Sequence, residues 1–357
     1  MFACLTIQLT KCKSFLMLYP ALIGKIEDSI KELPDQTELS FSVVKNGSID
    51  YFGMIKEKGA IHTIDNRQSA FEIGSVTKAF TGNILAQMVV DKMVNLDDPA
   101  QEYLPFPVLN NPPITLRHLA MHTSGLQRMP HDFESQSNYD KDNPFKHYSE
   151  EQLATYFTKN LRLDSLPGEK YQYSNLGSGL LSYILSKIDG KSFARLVAER
   201  IFGPLKMVNS SFDVREIRTE LVKGLDEQGN VCKHWDGGIL AGCLGILSTA
   251  EDLSRFAIMT CDSSDAAASL QAGESFAVDL LVKSNLGWGE RLILPDNIRM
   301  QGINGGTGGY GASILVNREK NCSLVILSNI WPLRYMDLIY PVGKEILIEM
   351  SKDKDPA

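Results

Sequence analysis

The feature that most constrains this chain is the placement of its β-rich segments at both ends, with a long helical stretch between them. Residues 39–45 and 49–53 flank Asn46-Gly47, and an Asn-Gly pair between two β-rich runs is the strongest local signal for a hairpin. A second hairpin is predicted from residues 312–316 and 323–327, joined by the polar stretch 317–321. Before the first hairpin, Ile26, Ile30 and Leu33 recur at helical spacing and stop at Pro34, which predicts a short amphipathic helix from residue 23; a last helix is predicted over 335–350. Such a sequence belongs in the α+β class: an antiparallel sheet made from both chain ends, flanked by helices, with a mostly helical region inserted. The expected organisation is an N-terminal extension or possible targeting segment over 1–22, a discontinuous α/β region over 23–85 and 240–357, and a mainly helical region over 86–239. Two polar connections, 127–150 and the Ala/Ser-rich 262–275, are predicted to be loops, and the first is expected to shape the pocket.

Charge and cysteine usage narrow the function classes. Thirty-six Lys and Arg against 43 Asp and Glu leave a net charge of −7, the wrong sign for a protein that gains affinity by neutralising phosphates, so no nucleic-acid partner is expected. The six cysteines, Cys4, Cys12, Cys232, Cys243, Cys261 and Cys322, contain no C-x-x-C pair, which argues against a zinc ribbon, a redox motif or a disulfide framework; a single bridge stays open. Lys11 and Lys13 precede an apolar stretch, 15–24, that imitates a signal peptide without its small-x-small cleavage pattern and is too short to span a membrane. The reading favours an uncleaved N-terminus and a cytoplasmic location over export. No metal or cofactor is expected: His118 and His122 lack the glutamate of H-E-x-x-H, and read as loop-organising residues.

The richest chemistry lies in Phe71-Glu-Ile-Gly-Ser-Val-Thr-Lys78, followed by Val76, Phe80, Ile84 and Met88 at four-residue spacing. Ser75 would stand at the start of that helix, where the macrodipole favours developing negative charge, with Lys78 one turn later on the same face. A serine hydroxyl needs such a base to become a nucleophile. A second S-x-x-K, Ser42 to Lys45, lies in a predicted strand, where positions three apart face opposite ways. Tyr173-Ser-Asn175 precedes another helical pattern; its phenol can relay a proton, and its amide can hold both Lys78 and a substrate carbonyl. Asn304-Gly-Gly-Thr-Gly-Gly-Tyr-Gly311 contains a G-x-G-x-x-G match, but a strand rather than a helix follows, which removes the dinucleotide reading. Its glycines, at the opening of the late hairpin, could instead present backbone N–H groups to a ligand as an oxyanion hole.

The order of these motifs resembles the serine β-lactamase and penicillin-binding-protein superfamily, in particular the class C type branch that also contains esterases, D-amino-acid peptidases and acyltransferases. Stretches 114–126, 166–175, 245–253 and Leu286-Gly-Trp-Gly289 are similar to that branch as well. The resemblance implies a β-lactamase/transpeptidase-like fold and a serine hydrolase acting through an acyl-enzyme on a small-molecule ester, lactone or amide. It implies Ser75 as the acylated nucleophile, Lys78 as its base partner, Tyr173 as proton relay, Asn175 as the residue that orients Lys78 and meets substrate, and the N–H groups of Ser75 and Gly306 as oxyanion hole. One departure bears on substrate. Where relatives carry Lys-Thr-Gly or His-x-Gly, this chain has Ile303-Asn304-Gly305, and isoleucine carries no charge for a substrate carboxylate. The departure favours esterase-type chemistry, unless Arg128 or Lys283 supplies the missing cation; a β-lactamase or D-amino-acid peptidase proper, an acyltransferase and a non-catalytic sensor are the alternatives.

Overall fold

The computed structural model describes residues 20–352; the expected targeting or extension segment lies almost wholly outside these described residues. The chain begins with α1 (Pro20–Lys31), three residues earlier than the periodicity predicts because proline is well accommodated in a helix's first turn. Eleven strands follow: β1 (Glu38–Lys45), β2 (Ser48–Glu57), β3 (Ala60–Ile64), β4 (Phe71–Glu72), β5 (Leu247–Ser248), β6 (Phe276–Ala277), β7 (Val282–Ser284), β8 (Gly289–Ile293), β9 (Ile298–Gly306), β10 (Gly311–Asn317) and β11 (Cys322–Ser328). Nine of them form one sheet in the order β3-β2-β1-β11-β10-β9-β8-β7-β6, every pairing antiparallel. The two chain ends meet at the β1–β11 pair, with Leu39 opposite Ser328 and Lys45 opposite Cys322.

Both predicted hairpins are present. Asn46 and Gly47 both adopt positive φ, 50° and 77°, as the two central residues of a type I′ turn must. The central strands are buried on both faces, and their alternation divides the interior in two. Leu39, Phe41 and Val43 of β1 and Leu324 and Ile326 of β11 pack under α1 and α5 (Tyr340–Lys352), together with Ile26, Ile30, Ile346 and Leu347. Ile314 and Val316 of β10 and Val325 and Leu327 of β11 face the opposite way, into a larger core with α2 (Thr77–Val90) and α4 (Ala250–Cys261). Burial of α2 is almost complete along its length, as expected for a helix at the centre of a domain. No helix among the described residues is long and apolar enough to cross a membrane.

Several expectations need correction. The 262–275 connection is not a loop: Asp265 caps a helix over Ala266–Gly273, its side chain accepting the Ala268 N–H at 2.7 Å. Asn304, Gly305 and Gly306 end β9 rather than opening the hairpin, because the four strands over 276–306 carry too few turn signals to be read from sequence, whereas the turn itself is only 307–310. The predicted closing helix is present and starts earlier, at Pro332, running through a π-type turn over Tyr335–Ile339 into α5. The four described cysteines are unbridged.

Two segments of the helical region are tied together by one buried histidine. His122, at φ 59°, accepts the Ser174 N–H on Nδ1 at 3.2 Å, and its carbonyl accepts the Gln172 N–H at 2.7 Å. Burial, reinforced by the positive charges of Lys78 and Arg128, pushes its pKa down to about 3. The sign follows directly: the unfolded chain binds a proton here below about pH 6.5 that the folded chain refuses, so this stability is present above pH 6.5 and is lost as the pH falls toward 3.

Two stability experiments follow from this packing. Between pH 6.5 and 4 the wild type should lose about 1.4 kcal/mol per pH unit more than His122→Asn, which keeps an acceptor for Ser174 and tolerates positive φ; parallel pH profiles in urea unfolding would contradict the assignment. Gly305→Ala places a Cβ 1.9 Å from the Ile73 carbonyl oxygen, and should destabilise by about 3 kcal/mol, the upper end of what overpacking costs. Gly302→Ala meets first a Leu315 methyl, at 2.9 Å, and should cost less; equal losses would show that the Ile73 contact is not the constraint.

Candidate active site

The strand β4 leads through Gly74 into a single tight turn, Gly74–Val76, that continues as α2. Ser75 therefore sits in the first turn of a helical segment, where N–H groups have no acceptor within the helix. The end of β9 passes directly beside it: a Cβ on Gly305 would lie 2.9 Å from the Ser75 nitrogen, and one on Gly74 would lie 2.6 Å from the Gly306 nitrogen. Thr307 N–H donates to the Tyr310 carbonyl at 3.2 Å, so by the two-residue alternation of an antiparallel ladder the N–H groups of Asn304 and Gly306 point away from β10. On that side β8 has already ended, at Gly289 opposite Gly302.

Lys78 is 2% exposed, and its Nζ donates to Ser75 Oγ (2.9 Å), Asn175 Oδ1 (2.9 Å) and the Cys243 carbonyl (2.7 Å). None of the three acceptors is a carboxylate. Tyr173 donates its phenol proton to the same Ser75 Oγ at 2.7 Å. The hydroxyl oxygen thus receives two hydrogen bonds, one for each lone pair, which leaves its own proton free to point outward. The Tyr173 ring is bracketed by cations, with Lys78 Nζ 4.9 Å and Arg128 Cζ 5.1 Å from its centre, and by the neutral His122 ring at 4.5 Å.

The Tyr173-Ser174-Asn175 segment is positioned by its backbone. Ser174 caps α3 (Asn175–Asp189), its Oγ accepting the Gly177 N–H at 2.9 Å and donating to the Gln127 carbonyl at 2.7 Å. The N–H groups of Asn175 and Leu176 both reach the Arg128 carbonyl, at 3.0 and 3.1 Å. Below Ser75, the buried Glu72 accepts from His234 Nδ1 at 2.8 Å and from the Trp235 N–H at 3.2 Å. Burial opposes protonation of His234, but the Glu72 hydrogen bond and charge outweigh it and raise its pKa.

All six residues singled out in the sequence, Ser75, Lys78, Tyr173, Asn175, Gly305 and Gly306, converge here. Ser42 and Lys45 do not; they lie in β1, with Ser42 opposite Tyr51 and Lys45 Nζ on the Met350 carbonyl at 3.2 Å. Sequence reasoning misses the Cys243 carbonyl, since any residue type can offer a backbone acceptor. It also leaves the strand residues around the site unplaced. A cavity of about 290 Å³ beside Tyr173 is lined from 278–289 and 302–304, with no residue of 127–150 among them. Lys283 lines this cavity and Arg128 overlies Tyr173, so both cations considered in place of the missing one border the site.

The chain is 28% identical over 192 residues to the D-alanyl-D-alanine-carboxypeptidase/endopeptidase AmpH of Escherichia coli (strain K12), a match covering 53% of this chain and 48% of that protein. It is 26% identical over 239 residues to a Beta-lactamase of Pseudomonas fluorescens, covering 65% of this chain and 62% of the relative. These matches span about half to under two thirds of the relatives' length. The fold is shared with a Beta-lactamase/D-alanine Carboxypeptidase from Yersinia pestis, crystallised with citrate, at a TM-score of 0.77 and 22% identity, over 95% of this chain and all of that one. A family profile described as Beta-lactamase matches residues 26–344, and the chain belongs to that family.

Proposed function

We propose that the protein is a serine hydrolase that works through an acyl-enzyme on Ser75, with carboxylic esters and related lactones or amides as its substrate class. The observation that carries this reading is the convergence of Lys78 Nζ and Tyr173 OH on one serine oxygen, with no carboxylate bound to either. Neutral acceptors fix the lysine nitrogen without engaging it in an ion pair, which suits a group that must give and take a proton.

The steps balance as follows. The pair first gives up one proton to solvent and turns from donor to acceptor toward Ser75; Ser75 Oγ then attacks the substrate carbonyl carbon, its proton passing to the Lys78–Tyr173 pair as the new C–O bond forms and the carbonyl electrons move onto oxygen. Backbone N–H groups of Ser75 and Gly306 would hold that oxyanion. Collapse expels the alkoxide, which takes the proton from Tyr173 and leaves as the alcohol. Water then adds to the acyl-enzyme, its proton travels back through the same pair to Ser75 Oγ, and the carboxylic acid departs. Asn175 holds Lys78 in place throughout by its Oδ1.

Ester-type chemistry is favoured over the substrates named for the relatives because D-alanyl-D-alanine peptides and penicillins carry a carboxylate, and Ile303 offers nothing to receive it. In this reading the site is shared: Ser75, Lys78 and Gly306 come from the discontinuous α/β region, Tyr173 and Asn175 from the helical region.

Turnover of p-nitrophenyl butyrate tests the roles. Ser75→Ala should abolish it, and Lys78→Ala and Tyr173→Phe should each lower kcat/KM by about 10²–10⁴-fold. Circular dichroism at 25 °C should remain native-like for all three, with Lys78→Ala melting at a lower temperature because Asn175 and the Cys243 carbonyl lose their donor. Normal turnover by either proton-transfer variant would contradict the assignment.

A further inference from the structure

The cavity beside Tyr173 lies on one particular side of the reacting centre. The oxyanion donors stand at Ser75 and at Gly306, the end of β9, while the cavity opens two to four residues earlier on that strand, at Gly302, Ile303 and Asn304, and its opposite wall includes the Tyr173 ring. Tyr173 is the group bonded to Ser75 Oγ from that side. The substituent nearest the proton donor is the one that must be protonated as it departs, so the group seated here is the leaving group rather than the acyl chain.

The walls of this cavity are mostly apolar: Val278, Val282, Ile303 and Tyr171 line it. Apolar surface continues outward along the β6–β7 turn, where Leu280 is 99% exposed and Leu281 40%. Gly289 and Gly302 stand directly opposite each other in the ladder and both line the cavity, so no side chain enters it from this pair. A Cβ on Gly289 would meet only the Gly302 carbonyl oxygen, at 3.5 Å. Among the described residues, the cation that lines the cavity itself, Lys283, faces Glu290, with Nζ 3.8 Å from a carboxylate oxygen that also takes Arg299 at 3.4 Å, while Arg128 lies over the Tyr173 ring. The charge of Lys283 is thus already answered by a carboxylate.

Building on the assignment of Ser75 and Tyr173 above, we propose that this cavity is a leaving-group subsite for an uncharged, apolar alcohol, and that the protein selects esters by their alcohol rather than by their acyl chain. A 290 Å³ space accommodates a hexyl or phenyl group. The hydrophobic contribution is up to about fourfold in kcat/KM for each methylene desolvated in the transition state.

The test uses the full-length enzyme and three ester series. Acetate esters of methyl, butyl and hexyl alcohol vary the leaving group; methyl esters of acetic, butyric and hexanoic acid vary the acyl chain; the acetate ester of 6-hydroxyhexanoate adds a carboxylate to the alcohol. We expect kcat/KM to rise at least about tenfold from methyl to hexyl acetate, more steeply than along the acyl series, and to fall when the carboxylate is present. Gly289→Leu, which fills the cavity from a strand position with room for a side chain, should collapse the hexyl-to-methyl ratio by at least about fivefold. Ile303→Lys should reverse the preference between the hexyl and carboxylate-bearing acetates. The proposal is overturned if the alcohol series is flat, if the acyl series is the steeper, or if wild type prefers the carboxylate-bearing alcohol, which would make Lys283 the anchor. In those three cases turnover still depends on Ser75 and the acyl-enzyme reading stands. Absence of Ser75-dependent turnover for every ester would remove that reading, and this inference with it.

Discussion

The structure depends on one buried nitrogen. Lys78 Nζ is shared among Ser75 Oγ, Asn175 Oδ1 and the Cys243 carbonyl, three atoms widely separated in sequence. An amine this deeply buried needs acceptors, because an unpaired one would carry a large desolvation cost. Each acceptor fixes a different part of the chain: Ser75 the start of α2, Asn175 the start of α3, and Cys243 the segment leading to β5. The same contacts that satisfy the lysine hold the candidate nucleophile in place. Stability and proposed chemistry therefore rest on a single set of bonds, and Lys78→Ala leaves Asn175 and Cys243 to find other partners.

The sheet supplies what this cluster cannot. Pairing of β1 with β11 closes the chain on itself, so that β9 runs past Ser75 at a separation only glycine allows. The helical region then has only to deliver Tyr173 and Asn175, which it does through backbone bonds from the 122–128 turn. His122 serves that turn in its neutral form. A protonated ring at Nδ1 could not accept the Ser174 N–H, and would add a third positive charge beside Lys78 and Arg128.

Much of this is legible in the residues, for specific reasons. Asn46-Gly47 announces the first hairpin because few other pairs tolerate two positive φ angles. Ser75 and Lys78 can be placed because helical spacing follows them, and the Ser42–Lys45 match can be set aside because it does not. Tyr173 and Asn175 stand out by their place before a helix. The cavity wall is harder: strands β6–β8 are two to five residues long, too short to show alternation, so the apolar tip at Leu280 and Leu281 gives no periodic signal. The helix over Ala266–Gly273 is hidden because its Ala- and Ser-rich composition reads equally well as a connection. Ile303 shows the reverse case, a single residue whose meaning comes from what is missing in its side chain.

The most direct measurement of the central claim is intact-mass spectrometry with peptide mapping after brief incubation with slowly hydrolysed esters and acid quenching. The account predicts a single added mass equal to the acyl group, whichever alcohol is used, located on the peptide that contains Ser75 and missing in Ser75→Ala. An adduct on another residue, or an equal adduct in Ser75→Ala, would contradict it.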